Sequence, residues 1–131
     1  MTHALRQFFY HSRLSPDHNA SCISAIVKTA RAFNASHAIT GILVFDGEIF
    51  CQYIEGPADD LGALVARLRT DPRHIGFTEL LDGEAAERLF PSWSMAYAAL
   101  DDEHYLSELL RRPPQEALQR LRDNLSSLDV N

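Results

Sequence analysis

The sequence predicts an α+β domain of ferredoxin-like type: a βαββαββ mixed sheet with two helices on one face, followed by a two-helix C-terminal extension. Three observations predict it. Apolar periodicity alternates in the order strand, helix, strand, strand, helix, strand. Asp46-Gly47-Glu48 is a tight hairpin signal between the two central apolar runs. Those runs are apolar on both faces, as in a sheet covered on two sides.

The elements follow in order. The first strand covers Arg6 to Ser12, around the aromatic run Phe8, Phe9, Tyr10. Ser15-Pro16 reads as a helix start, with Ser as N-cap and Pro in the first turn. The helix repeats at Ile23, Ile26, Val27, Ala30 and Phe33 and is expected to stop near Asn34, a residue that tolerates a left-handed end. Ile39 to Phe45 and Ile49 to Glu55 form the hairpin strands. Gly56-Pro57 opens a second helix whose stripe is Leu61, Leu64, Val65 and Leu68. Asp71 to His74 reads as a loop, Phe77 to Leu81 as a fourth strand, and Ser92 to Tyr97 as a fifth. The tail, Asp101 to Arg112 and Pro114 to Leu128, reads as two amphipathic helices, the last lined by Leu118, Leu121, Leu125 and Leu128.

Composition narrows the function. The chain has 131 residues, 46% of them hydrophobic and 23% charged, enough for one core in one globular domain. The net charge of −6 argues against nucleic acid, whose phosphates demand a basic surface. Two cysteines, Cys22 and Cys51, make neither a disulfide framework nor a four-ligand zinc site, and the six histidines are scattered. The six glycines match neither a dinucleotide fingerprint nor a phosphate loop, and no nucleophile elbow is present. The longest apolar stretch, near Ala38 to Phe45, is far short of the ~20 residues of a membrane span. No targeting segment opens the chain, so a cytoplasmic location is expected.

In the expected topology, right-handed crossovers put both helices on one face and the first and third strands side by side at the centre. Gln52 then shares a face with Phe50 and Ile54. An unpaired buried amide costs about 1–3 kcal/mol, and the neighbouring first strand offers the phenol of Tyr10. The pair would lie beneath the two helices, where a flat ligand fits.

At these residues the chain resembles the blue-light-sensing flavin (BLUF) domains. The resemblance runs through FFYHS (Phe8–Ser12), ARAFN (Ala30–Asn34), ITGILVF (Ile39–Phe45), FCQYIEGP (Phe50–Pro57), DPRH (Asp71–His74) and RLFPSWSM (Arg88–Met95), covering about residues 5 to 97. It implies a photoreceptor that binds FAD non-covalently between the helices, FMN and riboflavin being possible substitutes. Blue light would drive electron and proton transfer from Tyr10, and Gln52 would then change its hydrogen bonding. Asn34 matches the residue that bonds the ring's C4 carbonyl and N3 edge, Arg73 one that approaches the pyrimidine side, and His74 its packing neighbour. Ile26 and Phe50 match residues lining the ring, while Trp93 and Met95 match fifth-strand positions that relay the signal.

Taken singly, each has a plainer reading: Asn34 ends a helix, Tyr10 and Met95 fill a core, Trp93 does the same, and Arg73 and His74 sit on a loop. At the combined spacing the functional reading of Tyr10, Asn34 and Gln52 prevails. The implied protein is a photosensory domain over residues 1–97 with a helical extension over 98–131, not an enzyme, and without a metal. The 34 residues after the sensor are too few for an attached catalytic domain. Output would pass through protein contacts, to a downstream partner or within a homo-oligomer, with no nucleic acid or membrane involved. The tail leucines would cover the second sheet face or form an oligomer seam. The rival is an acylphosphatase-like enzyme or metabolite-binding module, which needs a glycine-bearing phosphate cradle after the first strand. Ser12 to Pro16 holds no glycine.

Overall fold

Alternation of side chains across one sheet produces two separate cores. The computed structural model describes residues 4–102 and 104–124. The strands are β1 (Leu5–Leu14), β2 (Thr40–Phe45), β3 (Ile49–Pro57), β4 (His74–Glu84) and β5 (Ala96–Ala99). The helices are α1 (Ile23–Ser36), α2 (Ala58–Thr70), α3 (Tyr105–Leu109) and α4 (Pro114–Asp123). The sheet order is β4-β1-β3-β2-β5, antiparallel except for the parallel β2–β5 pair. This is the ferredoxin-like order with one strand added at an edge.

Phe8, Tyr10, Leu43, Phe45, Phe50 and Ile54 pack beneath α1 and α2 with Ile23, Val27, Leu61, Leu64 and Val65. The intervening strand residues, Phe9, Ile42, Val44, Cys51 and Tyr53, face the other way, against Leu106, Leu109, Ala117, Leu118 and Leu121 of α3 and α4. The tail therefore covers the second sheet face, which would otherwise expose large apolar side chains at about 1.5–3 kcal/mol each. Leu125 and Leu128 lie outside the described residues. The outer side of α4 is polar, with Glu116 between Arg112 and Arg120 at 3.5 and 3.6 Å.

Local chemistry sets the element ends. In the hairpin, Asp46 Oδ1 accepts from the backbone N–H of Glu48 (3.0 Å) and Ile49 (2.7 Å), while Gly47 takes φ 100°. α2 carries Asp59 and Asp60 in its first turn and Arg67 and Arg69 in its last, matching the helix dipole at both ends.

Several boundaries differ from expectation. Ser15-Pro16 does not start α1. The Ser15 N–H donates to Arg73 O at 3.0 Å, and Ser15 Oγ accepts from the Asp17 N–H, so the chain turns there. Asn19 is the cap instead, its side chain accepting from Ser21 N–H at the head of a 3-10 turn, Ala20–Cys22, that leads into α1. Asn34 does not end the helix. α1 runs to Ser36, and the left-handed position is Ala38, at φ 55°. β4 is longer than expected and begins at His74. β5 starts only at Ala96, so Trp93 and Met95 precede it. The carbonyls of residues 93, 94 and 95 are taken by Gly41 N–H, Asn34 Nδ2 and Arg31 Nε, contacts that replace a strand ladder. The first tail helix is shorter than Asp101 to Arg112, and the second is described only to Asp123.

Leu121 has no exposed surface. Leu121→Ala is expected to cost about 2–5 kcal/mol if α4 is part of the same folding unit as the sheet, measured by urea unfolding as one coincident transition. A negligible loss, or a separate tail transition, would contradict the shared core.

Candidate functional site

The antiparallel register of β1 and β3 sets Tyr10 directly opposite Gln52. The Tyr10 hydroxyl donates to Gln52 Oε1, and both side chains are buried. The phenol ring stacks on Phe77 with centroids 4.4 Å apart and meets the edge of His74 at 6.0 Å. Burial drives the Tyr10 pKa well above the ordinary phenol range, with added repulsion from Cys51 and Asp71. Gln52 Nε2 points at Met95 Sδ, 3.8 Å away, a weak acceptor for a strong donor.

Asn34 stands in the last turns of α1 with no exposed surface. Its Nδ2 donates to Ser94 O at 2.7 Å, while its buried Oδ1 has no partner. An acceptor left in that condition costs about 1–3 kcal/mol, so it suits a ligand that brings a donor. His74 is held on both sides, Nδ1 at 2.7 Å from Ser12 Oγ and Nε2 at 2.5 Å from Leu68 O. A carbonyl only accepts, so Nε2 carries a proton. Arg73 is gripped by Asp71 through Nη2–Oδ2 at 2.6 Å and Nε–Oδ1 at 3.0 Å, and that bond holds the Asp71 carboxyl below the usual carboxylate range.

These groups converge on a cleft of about 490 Å³, mouth included, between α1 and α2 and above β1 and β3. Its lining includes Tyr10, Ile26, Asn34, Phe50, Gln52, Arg73 and His74, all seven of the expected photoactive and ring-contacting residues apart from the relay pair. Met95 is buried and meets the site at Gln52 Nε2. Trp93 does not line the cleft; it is 37% exposed and stacks on Phe90 at 6.1 Å. Sequence reasoning missed Ala30, Leu43, Leu64, Leu68 and Asp71 in the lining. The stripes of both helices already carried Ala30, Leu64 and Leu68, and the Asp-x-Arg spacing carried Asp71. Ser94 stands in the RLFPSWSM motif, but it contributes only a backbone oxygen, which no side-chain pattern marks.

An apolar slot with a few fixed polar groups along one edge is the form of a small-molecule or cofactor site. Residues 5–96 match the BLUF family model, sensors of blue-light using FAD, and the chain belongs to that family. It is 36% identical over 109 residues to the photoactivated adenylate cyclase subunit beta of Euglena gracilis, covering 82% of this chain but only 12% of that protein. It is 34% identical over 86 residues to the blue light- and temperature-regulated antirepressor BluF of Escherichia coli K12, covering 66% of this chain and 21% of the relative. Among solved structures, BlrB, a BLUF protein in its dark state, superposes with a TM-score of 0.78 at 26% identity, over 97% of this chain and 98% of that one. The phosphate-cradle enzyme has no support here: Ser12, where its loop would start, is buried against His74.

The residues fit a flavin. The unpaired Asn34 Oδ1 suits a ring N–H, and the apolar walls suit its faces. Among the described residues no helix is long and apolar enough to cross a membrane.

The raised Tyr10 pKa fixes a sign. An unfolded phenol ionises near pH 10 while the folded one stays neutral, so the unfolded state binds fewer protons above that pH. The contribution of neutral Tyr10 is therefore complete below about pH 10 and declines as pH rises past it. Urea unfolding at pH 9 and 11 should show a shallower decline for Tyr10→Phe than for the unaltered chain. Equal declines would mean that the phenol is not held neutral.

Proposed function

We propose that the chain is a blue-light receptor that holds FAD non-covalently in the α1–α2 cleft and signals by rearranging the hydrogen bonds of Gln52. The observation that carries this reading is the buried Tyr10–Gln52 contact beside the unpaired Asn34 Oδ1 in one apolar cleft. A bound flavin would supply a ring that absorbs blue light and accepts an electron and a proton. FAD is the form proposed because the family description names it; FMN and riboflavin present the same ring to these residues.

Each residue has a task that its surroundings support. Tyr10, kept neutral by burial, can release a proton together with an electron, and Gln52 Oε1 is the group that receives its hydrogen bond. Asn34 Oδ1 accepts from the ring edge, Ile26 and Phe50 enclose its faces, and His74 and Arg73 close the side nearest the α2–β4 loop. Rotation of the Gln52 amide would exchange its donor and acceptor. Nε2 would then face the Tyr10 oxygen, and Oε1 would face Met95 Sδ, bringing two acceptors together. Met95 is thus the first neighbour obliged to respond, with Trp93 two residues away on the surface.

The matched segment makes up only 12% of the Euglena cyclase subunit and 21% of the antirepressor, so light sensing is the part of those proteins that this chain resembles. We therefore read residues 1–97 as the sensor and 98–131 as a helical extension, with no catalysis of its own. Its output would be altered contact with a cytoplasmic protein partner or a second copy.

The purified protein should be yellow, and its flavin band should move to longer wavelength under blue light and return in darkness. A colourless protein that FAD cannot reconstitute would overturn the reading. Tyr10→Phe and Gln52→Ala should each abolish the reversible shift while flavin stays bound; a normal photocycle in either would remove that residue from its role. Because Tyr10 stays neutral, the size of the shift should be constant from about pH 6 to 10.

A further inference from the structure

On the sheet face opposite the cleft lies a carboxylate that the light-sensing reading leaves unused. Glu55, near the end of β3, has no exposed surface. Its four hydrogen bonds all come from donors. Oε1 accepts from Leu89 N–H at 2.8 Å and Tyr53 Oη at 3.0 Å, and Oε2 from Phe90 N–H at 2.8 Å and Thr40 Oγ1 at 3.1 Å. A buried side chain with this set acts as a two-pronged acceptor, one prong for each of two consecutive backbone amides. Arg88 reinforces the joint from outside, donating to Thr40 Oγ1 at 2.9 Å and to Ala38 O at 2.7 Å.

The segment so gripped leads straight to the cleft. Phe90 is buried in the back-face core and Met95 in the front-face core, so residues 91–94 carry the chain from one side of the sheet to the other. At the far end Ser94 O meets Asn34 Nδ2 and Met95 Sδ meets Gln52 Nε2. The start of this passage is fixed by Glu55 and its end touches the two amides of the site.

We propose that Glu55 is a positioning residue for light sensing: its carboxylate anchors residues 89 and 90, and through them sets where Ser94 and Met95 meet Asn34 and Gln52. This rests on the light-sensing reading above. Glu55→Gln isolates the role, because the variant keeps the shape but converts one oxygen into a donor. Each oxygen faces a backbone N–H, so either orientation of the amide leaves one N–H without an acceptor and facing another donor.

The test uses the flavin-loaded full chain. Two quantities are read well below the melting temperature: the dark-recovery rate of the shifted band and acrylamide quenching of Trp93, the single tryptophan. Glu55→Gln should keep its flavin but change the recovery rate by roughly threefold to tenfold, the range one net hydrogen bond supplies. Its Trp93 should be quenched more readily in the dark. A flavin-bound variant with unchanged recovery and unchanged quenching would overturn the proposal. If Glu55→Gln does not fold, Arg88→Met carries the same test, with a smaller change of the same kind expected and no change overturning it. Trp93 quenching needs no photocycle. An unaltered chain without a spectral shift would overturn the light-sensing reading and the part of Glu55 in it, while the quenching still decides whether the anchor exists.

Discussion

Everything at the cleft depends on the register between β1 and β3. The side-chain period of a strand is two, so a slip of one residue would turn Tyr10 or Gln52 onto the opposite face. The pairing is uninterrupted from Leu5 opposite Pro57 to Arg13 opposite Ile49, and the β2–β3 hairpin holds β3 from its other side. The irregularities fall elsewhere. β1 and β4 shift register between Phe9 and Tyr10 and again between His11 and Arg13, so the edge strand absorbs the distortion and the central pair does not. The bulges lie beside the site, where bulges commonly re-aim a strand.

Polar groups in so apolar a setting have an energetic meaning. Tyr10 and Gln52 satisfy one another in part, but Gln52 Nε2 has only a thioether and Asn34 Oδ1 has nothing. A core selected for stability alone would place aliphatic side chains at these positions. At the cleft the unsatisfied capacity sits on these two amides, which is the pattern of a site that awaits a partner. By contrast Glu55, the most polar fully buried side chain, is completely satisfied and acts as structure.

Much of this was legible in the sequence, and the illegible parts share a cause. Strand order, both helix stripes, the hairpin and the Tyr10–Gln52 meeting follow from periodicity and handedness, which are local patterns plus one topological rule. The start of α1 is not legible because Ser15-Pro16 and Asn19 are both competent caps, and a tertiary bond from Ser15 N–H to Arg73 O decides between them. β5 starts later than the alternation of Trp93 and Met95 suggests, because the carbonyls there are claimed by α1 side chains and Gly41. Asn34 looked like a helix end; Ala38 takes that conformation, and Asn34 is released to face the cleft. Glu55 falls inside the FCQYIEGP motif, but its task is not legible there, since a charged residue near a strand end reads as surface and only the folded loop supplies its donors.

The two cores also make the sheet a shared wall. Phe9 and Tyr53 pack with the tail helices on one side, and their immediate neighbours Tyr10 and Gln52 meet on the other. Strand neighbours are joined by a rigid peptide plane, so displacement of one face cannot be kept from the next residue along. A protein that grasped the polar outer side of α4 would therefore hold, through a single layer of backbone, the strands that position the phenol and the amide. The tail helices and the cleft are in this sense the two sides of one wall.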